Sequence, residues 1–346
     1  MTFSKTLTDW YSVNKRQLPW RQTTNPYYIW LSEIILQQTQ IKQGLPYYED
    51  FVTTFPTVFD LASANEAEVL KLWQGLGYYS RARNLHFAAK YVVNELGGIF
   101  PNTYKDLLKL KGVGDYTASA IASICYNEIS AVVDGNVYRL LSRYFGIYTA
   151  INSSKGAKEF KALAQELIDK KDPATFNQAV MEFGAIQCKP KSPDCSVCPF
   201  NKSCYAFGKG VINELPVKIK AAKVSKKYFN FLVFLTPNQT TVLEQRQGKG
   251  IWQNLYQFPL IESEKALNHK QLQLELESFE VLQGKTFEVS LYNKEEIIHK
   301  LSHQHLYTRF WIVEVDANID GAISVFDVED FPVPILIGNF IADFNF

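Results

Sequence analysis

Four cysteines fall within seventeen residues, spaced Cys188-x6-Cys195-x2-Cys198-x5-Cys204 and interleaved with Pro190, Pro193 and Pro199. Four thiolates so close together make a compact loop around one ion or cluster, and that constrains the chain more than any other feature. A four-cysteine zinc site is one reading. Zinc ribbons pair two short C-x2-C knuckles across a longer gap, and only one such pair exists here. A cluster held by four cysteines tolerates uneven spacing, so the chemistry favours [4Fe–4S] and leaves zinc open. The fifth cysteine, Cys125, lies on an apolar helical stripe and reads as a core residue. Five cysteines in 346 residues do not make a disulfide scaffold, which points to a reducing, intracellular setting.

Such a length suits about two domains, and 47% hydrophobic with 14% aromatic residues can build two cores. Up to about residue 210 the apolar spacing is helical, as in LSEIILQQTQIKQ, NEAEVLKLWQGL, NLHFAAKYVVNEL, YTASAIASICY and EFKALAQELI. From Tyr228 it changes to short β-rich runs, YFNFLVFLT, TTVLEQ, FEVSLY and TRFWIVEV. Between them PVKIKAAKVSKK, with five lysines and no acid, reads as a basic linker within 211–227 or equally as an exposed basic helix. The net charge of +1 hides an asymmetry: residues 1–225 carry 26 basic and 19 acidic side chains, and 226–346 carry 10 and 16. The first part is therefore expected to meet a polyanion. No apolar run approaches a membrane span and the amino terminus lacks a signal-peptide core, so the expectation is a protein without a membrane partner.

LKLKGVGDYTASAIASI places Gly112 and Gly114 between two helical segments, where a tight turn could bring helix-terminal amides to a phosphate. A plain helical turn has the same pattern. In AVVDGNVYRLLSR, Asp134 follows an apolar run; such an aspartate is commonly a helix N-cap, and alternatively a carboxylate held in a partly dry cleft. Glu33 interrupts the apolar YYIWLSEIILQQTQ, where a solvated face is the bland reading. The uncharged Gln37, Gln38, Thr39 and Gln40 that follow suit a base-contacting surface, and a desolvated glutamate can act as a general acid near neutral pH.

Together these segments resemble the helix-hairpin-helix, iron–sulfur DNA glycosylases. LPWR, NPYYIWLSEIILQQTQ, WQGLGYYSRARNL and FNQAVMEFGAIQC are similar to the MutY adenine DNA glycosylases, densely from about residue 7 to 204 and weakly again through IWQNLYQFP and LSHQHL. The resemblance implies a mainly α catalytic region, 1–210, of two helical lobes with the hairpin at about 108–124 and the iron–sulfur loop at 188–204. An α+β Nudix-like lesion-recognition domain, 228–346, would follow. It implies a monomer that removes adenine opposite 8-oxoguanine or guanine from double-stranded DNA, in a prokaryote in the cytoplasm at the nucleoid. It assigns Glu33 as the acid that protonates adenine, Asp134 as the carboxylate that stabilises the sugar cation, Tyr116 as its support and Asn136 as an orienting group. Arg16, Leu18 and Gln178 would line the adenine pocket. Gln38, Thr39, Leu76 and Tyr78 would enter or flank the stack left by the flipped base, with Gly112 and Gly114 on the DNA backbone. Cys188, Cys195, Cys198 and Cys204 would hold a [4Fe–4S] cluster, with Lys189, Lys191 and Lys202 nearby on DNA.

Two rivals are an endonuclease III-like glycosylase/lyase and a noncatalytic iron–sulfur DNA-binding protein. The lyases carry a hairpin lysine where this chain has Tyr116, and a phenol cannot form a Schiff base. Nudix hydrolases need an REx2EE-type segment for Mg²⁺, and the LIESEKALNHKQLQLELESFE that follows IWQNLYQFP lacks it, so nucleotide hydrolysis is not expected. The lesion-reading loop, usually Phe-Ser-His in the family, is here Leu301-Ser302-His303; Ser302 and His303 would offer polar contacts to 8-oxoguanine, while Leu301 cannot stack as an aromatic ring does.

Overall fold

A computed structural model describes residues 2–220, 224–344 and 346. The chain groups into two compact units, Met1–Ser63 with Asn84–Lys220, and Ala64–Arg83 with Ala221–Phe346. The first is helical: α1 (Phe3–Asn14), α2 (Pro26–Ile35), α3 (Ile41–Thr54) and α4 (Val58–Ser63) precede the excursion into the second unit, which contains α5 (Glu66–Leu72). The division falls inside α6 (Ser80–Leu96), after which come α7 (Tyr104–Leu107), α8 (Asp115–Tyr126), α9 (Gly135–Phe145), α10 (Ser154–Leu167), α11 (Pro173–Glu182) and α12 (Tyr205–Gly208).

The helices start where the caps lie. Asn25, Asp134, Ser153 and Asp172 each accept a backbone N–H from the first turn, and Pro26 and Pro173 occupy first-turn positions that need no donor. The apolar faces of α1, α8, α9, α10 and α11 close one core around Leu7, Tyr11, Val132, Val137, Leu140, Phe160, Phe176 and Phe183. The run LSEIILQQTQIKQ, expected as one helix, breaks at Gln38, which takes a left-handed φ of 58°; α2 ends at Ile35 and α3 begins at Ile41. Gln38 and Thr39 therefore lie in a turn.

In the second unit a sheet runs in the order β5 (Leu260–Ser263), β1 (Ser225–Leu235), β8 (Gln304–Val315), β6 (Phe287–Leu291), and β7 (Ile297–Lys300) also pairs with β8. The long β1 and β8 are parallel, from Ser225 opposite Gln304 to Leu235 opposite Glu314, and the other pairs in this sheet are antiparallel. Strand alternation sends Leu232, Phe234, Trp311 and Val313 to one face, where α13 (His269–Leu276) packs with Leu272 and Leu276. Phe310 points to the other face and stacks at 4.1 Å on Phe340 of α14 (Ile335–Phe344). Short pairs β2 (Thr240–Thr241) with β9 (Ile323–Ser324), and β3 (Glu244–Gln245) with β4 (Tyr256–Gln257), complete this α+β unit.

The expected linker 211–227 needs correction at both ends. Ile212 O and Leu215 O accept from Arg143 Nε, and Ile219 exchanges two hydrogen bonds with Asn152, so 212–219 are fastened to the helical unit. The carboxyl-terminal end joins β1 from Ser225, because its amides find partners along β8. Residues 221–223 lie outside the described residues. Among the described residues no helix is long and apolar enough to cross a membrane.

Candidate active site

Glu33 lies near the end of α2, between Ser32 and Ile34, which are both buried. Solvent reaches part of the residue, while protein crowds its carboxyl. Burial pushes its pKa up to about 7; the hydroxyl of Tyr116 within hydrogen-bonding reach lowers it less than burial raises it, and the negative Asp134 adds to the rise. Tyr116 comes from the first turn of α8, and its hydroxyl also donates to Met181 Sδ at 3.1 Å. Burial, then the charges of Glu33 and Asp134, push its own pKa well above the usual tyrosine value.

Asp134 combines a capping role with a carboxyl crowded by protein. It is the N-cap of α9, accepting from Asn136 N at 2.9 Å and Val137 N at 2.8 Å, and Asn136 Nδ2 donates to its second oxygen at 2.7 Å. Burial raises its pKa, and these three bonds and the Arg139 charge oppose that rise. Asn136 Oδ1 accepts from Arg139 Nη2 at 2.8 Å, and Arg139 also donates to Gly184 O and Cys188 O. A hydrogen-bonded line thus runs from the Asp134 carboxyl to the first cysteine of the loop. It depends on Gly184, in the widened turn Phe183–Gln187 that extends α11, where an added Cβ would lie 2.6 Å from Asn136 O.

Gln178 and Glu182 project from α11. Gln178 Oε1 accepts from Tyr11 OH at 2.6 Å. Glu182, 1% exposed, accepts five hydrogen bonds: Arg16 N, Nε and Nη2 at 2.9, 2.8 and 2.6 Å, and Arg21 Nη1 and Nη2 at 3.0 and 2.8 Å. Burial alone would raise its pKa, but the bonds from Arg16 and Arg21 outweigh burial and bring it down to about 2. Leu18 is buried beside them, capping the short turn Pro19–Arg21. Sequence reasoning named Arg16, Leu18 and Gln178 but passed over Tyr11, Arg21, Met181 and Glu182. The acid inside the apolar FNQAVMEFGAI was the available signal for Glu182, of the same kind that singled out Glu33.

In the hairpin, Gly112 has φ 81° and a Cβ there would lie 2.9 Å from Asn84 Cβ, so both conformation and space demand glycine. Gly114 caps α8 in extended backbone with open space around it. The first turn of α8 also carries Asp115, whose carboxylate is held by Tyr104 OH and Lys161 Nζ at 2.6 and 2.9 Å.

All four clustered cysteines line one cavity, walled by Leu140, Tyr144, Phe183 and Phe200. Arg143 Nη1 lies 3.5 Å from Cys188 Sγ, and backbone N–H groups of Phe200, Ala206 and Phe207 point to Cys198 and Cys204. Thiols gathered in an apolar recess, with N–H donors aimed at two of them, are a donor set suited to a cationic centre and fit an iron–sulfur group. Among the described residues no three His, Cys, Asp or Glu are drawn into a finished ion-binding group.

Leu76, Tyr78, Ser302 and His303 belong to the second unit. Tyr78 is 54% exposed with a left-handed φ of 48°. Leu76 is only 5% exposed, its side chain packed inside the unit. Ser302 and His303 form the exposed tip between β7 and β8, closed by Leu301 N donating to Gln304 O at 2.9 Å.

A helical unit in which a Gly-turned hairpin sets a tyrosine beside two sheltered carboxyls defines a class, the helix-hairpin-helix base-excision repair proteins. Residues 31–170 match the HhH-GPD superfamily base excision DNA repair protein model, and 230–342 match the NUDIX domain. Within that class the chain belongs to the adenine DNA glycosylase family. It is 34% identical over 319 residues to the adenine DNA glycosylase of Buchnera aphidicola subsp. Baizongia pistaciae, covering 90% of this chain and 86% of that one. The Homo sapiens adenine DNA glycosylase is 46% identical over 213 residues, covering 59% of this chain and 39% of the human one. A solved thermostable thymine-DNA glycosylase aligns with TM-score 0.56 at 32% identity, covering 60% of this chain and 95% of its own. An endonuclease III–DNA complex aligns with TM-score 0.53 at 21% identity, covering 60% of this chain and 94% of its own, and so shares the fold.

Proposed function

We propose that this chain is a monofunctional adenine DNA glycosylase that removes adenine mispaired with 8-oxoguanine, and with guanine, from duplex DNA. The observation that carries the reading is a pair of protein-crowded carboxyls of different character, near enough for the charge of Asp134 to act on Glu33. Glu33 has a pKa near 7, and the Asp134 carboxyl is tied by three N–H donors. An adenine flipped out of the stack enters beside Arg16, Leu18 and Gln178. Glu33 gives its proton to N7, the C1′–N9 bond breaks with its electron pair going to the base, and adenine leaves neutral. Asp134, oriented by Asn136 and with Tyr116 supporting the pair, stabilises the cationic sugar and transiently bonds C1′ before water takes its place.

Tyr116 stands where a lysine would give lyase chemistry, and this favours hydrolysis without strand cleavage. Cys188, Cys195, Cys198 and Cys204 would hold a [4Fe–4S] cluster, which when bound fastens the loop that carries Lys189, Lys191 and Lys202 toward DNA. Purified protein should then be brown, absorbing near about 400 nm; colourless protein with one zinc, made anaerobically with ample iron, would refute the cluster. Gln38, Thr39, Leu76 and Tyr78 are assigned to entering or flanking the opened stack, Gly112 and Gly114 to the backbone, and Ser302 with His303 to the oxidised guanine.

The deciding experiment measures base release from duplexes with adenine opposite 8-oxoguanine, guanine or thymine, with and without alkali. Adenine release with strand breaks only after alkali is expected. Breaks without alkali would return the reading to a lyase, and no release of any base would leave a DNA-binding protein.

A further inference from the structure

The segment 64–83, although it lies between helices of the first unit in sequence, folds with the carboxyl-terminal unit, and its contacts there are specific. At its ends, Glu66 Oε1 accepts from Asn254 Nδ2 at 2.5 Å and Arg83 Nη1 donates to Gln253 O at 2.9 Å. In its middle, the strap Glu329–Val333 grips the turn from below. Lys71 Nζ donates to Glu329 O and, at 3.5 Å, to Phe331 O. Gln74 Oε1 accepts from Val333 N at 3.2 Å, and Tyr79 OH donates to Val333 O at 3.4 Å. The strap is itself pinned, since Pro332 O accepts from Tyr256 N of β4 at 2.8 Å and Pro334 O accepts from Ile337 N and Gly338 N of α14.

The turn above these contacts is left-handed at three positions, of which only Tyr78 is not glycine. Gly75, Gly77 and Tyr78 all have positive φ, of 95°, 76° and 48°. Gly77 O accepts from both Trp73 Nε1 and Arg81 Nη2, at 3.0 and 3.1 Å, and the Arg81 guanidinium lies 5.7 Å from the Tyr78 ring centroid. The ring of Tyr78 is left outward on a platform whose footing is carboxyl-terminal backbone.

We propose that the carboxyl-terminal unit presents Tyr78 to DNA, with Lys71, Gln74 and Tyr79 as positioning residues that transmit the strap to the turn. The proposal rests on the reading of Tyr78 as a residue entering or flanking the opened stack, and it gives the carboxyl-terminal unit a task separate from reading the oxidised base. Loss of the strap contacts therefore impairs base extrusion whichever guanine stands opposite adenine.

The test uses the full chain and duplexes with 2-aminopurine next to the mispaired adenine, whose fluorescence rises when the stack opens. Wild type, Tyr78→Ala, Gln74→Ala/Tyr79→Phe and Lys71→Met are compared opposite 8-oxoguanine and opposite guanine. Gln74→Ala/Tyr79→Phe and Lys71→Met should lower both the fluorescence rise and single-turnover release about fivefold, roughly the factor for one net hydrogen bond, and alike on both pairs. Amide exchange of peptides covering 73–81 should speed up in the same variants. A wild-type rise in both, while Tyr78→Ala loses it, overturns the support. An unchanged rise in Tyr78→Ala overturns the premise. Should the double variant fail to fold, Lys71→Met, which releases Glu329 O, Phe331 O and a 3.5 Å contact to Gln74 Oε1 while leaving Gln74 and Tyr79 on Val333, decides by the same two readouts.

Discussion

A glutamate with a pKa near 7 is poised to be half protonated at neutral pH, and two consequences follow at the scale of that single residue. Because the acid form donates the proton, base release should fall about tenfold per pH unit above about pH 7, and Glu33→Gln should abolish it while DNA binding persists. Wild-type turnover by Glu33→Gln would remove Glu33 as the acid. The stability effect has a definite sign. The raised folded pKa means that between about 4.5 and 7 the folded state binds more protons than the unfolded one, so this contribution is full below 4.5 and is lost as pH rises through 7. At pH 8 Glu33→Gln should therefore be more stable than wild type, by about 1–2 kcal/mol after allowance for solvent at the site, and the gain should vanish at pH 4. Glu182 behaves oppositely. Its stabilisation is present above about 4.5 and is lost as pH falls toward 2, and Glu182→Leu, which strands the Arg21 guanidinium, should cost about 3 kcal/mol in urea unfolding at neutral pH.

At the scale of elements, one N-terminus does two jobs. Asp134 starts α9 and supplies the charge beside Glu33, so substitutions there separate cap from chemistry. Asparagine also caps helices; Asp134→Asn should keep the unfolding midpoint near wild type yet lose base release, whereas Asp134→Ala should lose release and about 1 kcal/mol of stability. Equal stability of the two variants would show that the cap contributes nothing. The widened turn Phe183–Gln187 serves in a related way, letting α11 carry Gln178 and Glu182 and then deliver Cys188 within reach of Arg139 and Arg143. The break at Gln38, the start of β1 at Ser225 and this turn were not legible in the sequence. The start of β1 and this turn are set by partners distant in the chain, and hydrophobic period carries no record of them or of the left-handed φ at Gln38.

At the scale of the whole molecule, the proposed roles divide between the two units. The basic helical unit holds the paired carboxyls and the four thiols, while Ser302, His303 and Tyr78 lie in the other unit. Ser302→Ala/His303→Ala should slow release opposite 8-oxoguanine by the equivalent of about 1–3 kcal/mol and change release opposite guanine much less. Equal losses on both pairs would make the tip a structural or general DNA-binding element.

The chain's local chemistry determined its helical and β-rich parts, the cap at Asp134, the crowded thiols, and the two anomalous acids that short-range patterning exposes, because each depends on residues within a turn or two of one another. Tertiary structure alone decided that Glu33, Tyr116 and Asp134 come together, that Glu182 is saturated by two arginines, that Leu76 is packed away while Tyr78 is exposed, and that segment 64–83 folds with a strap some 250 residues later. These depend on burial and on which backbone groups meet across long loops. A carboxyl's desolvation or a carbonyl's partner has no value until the chain has closed around it.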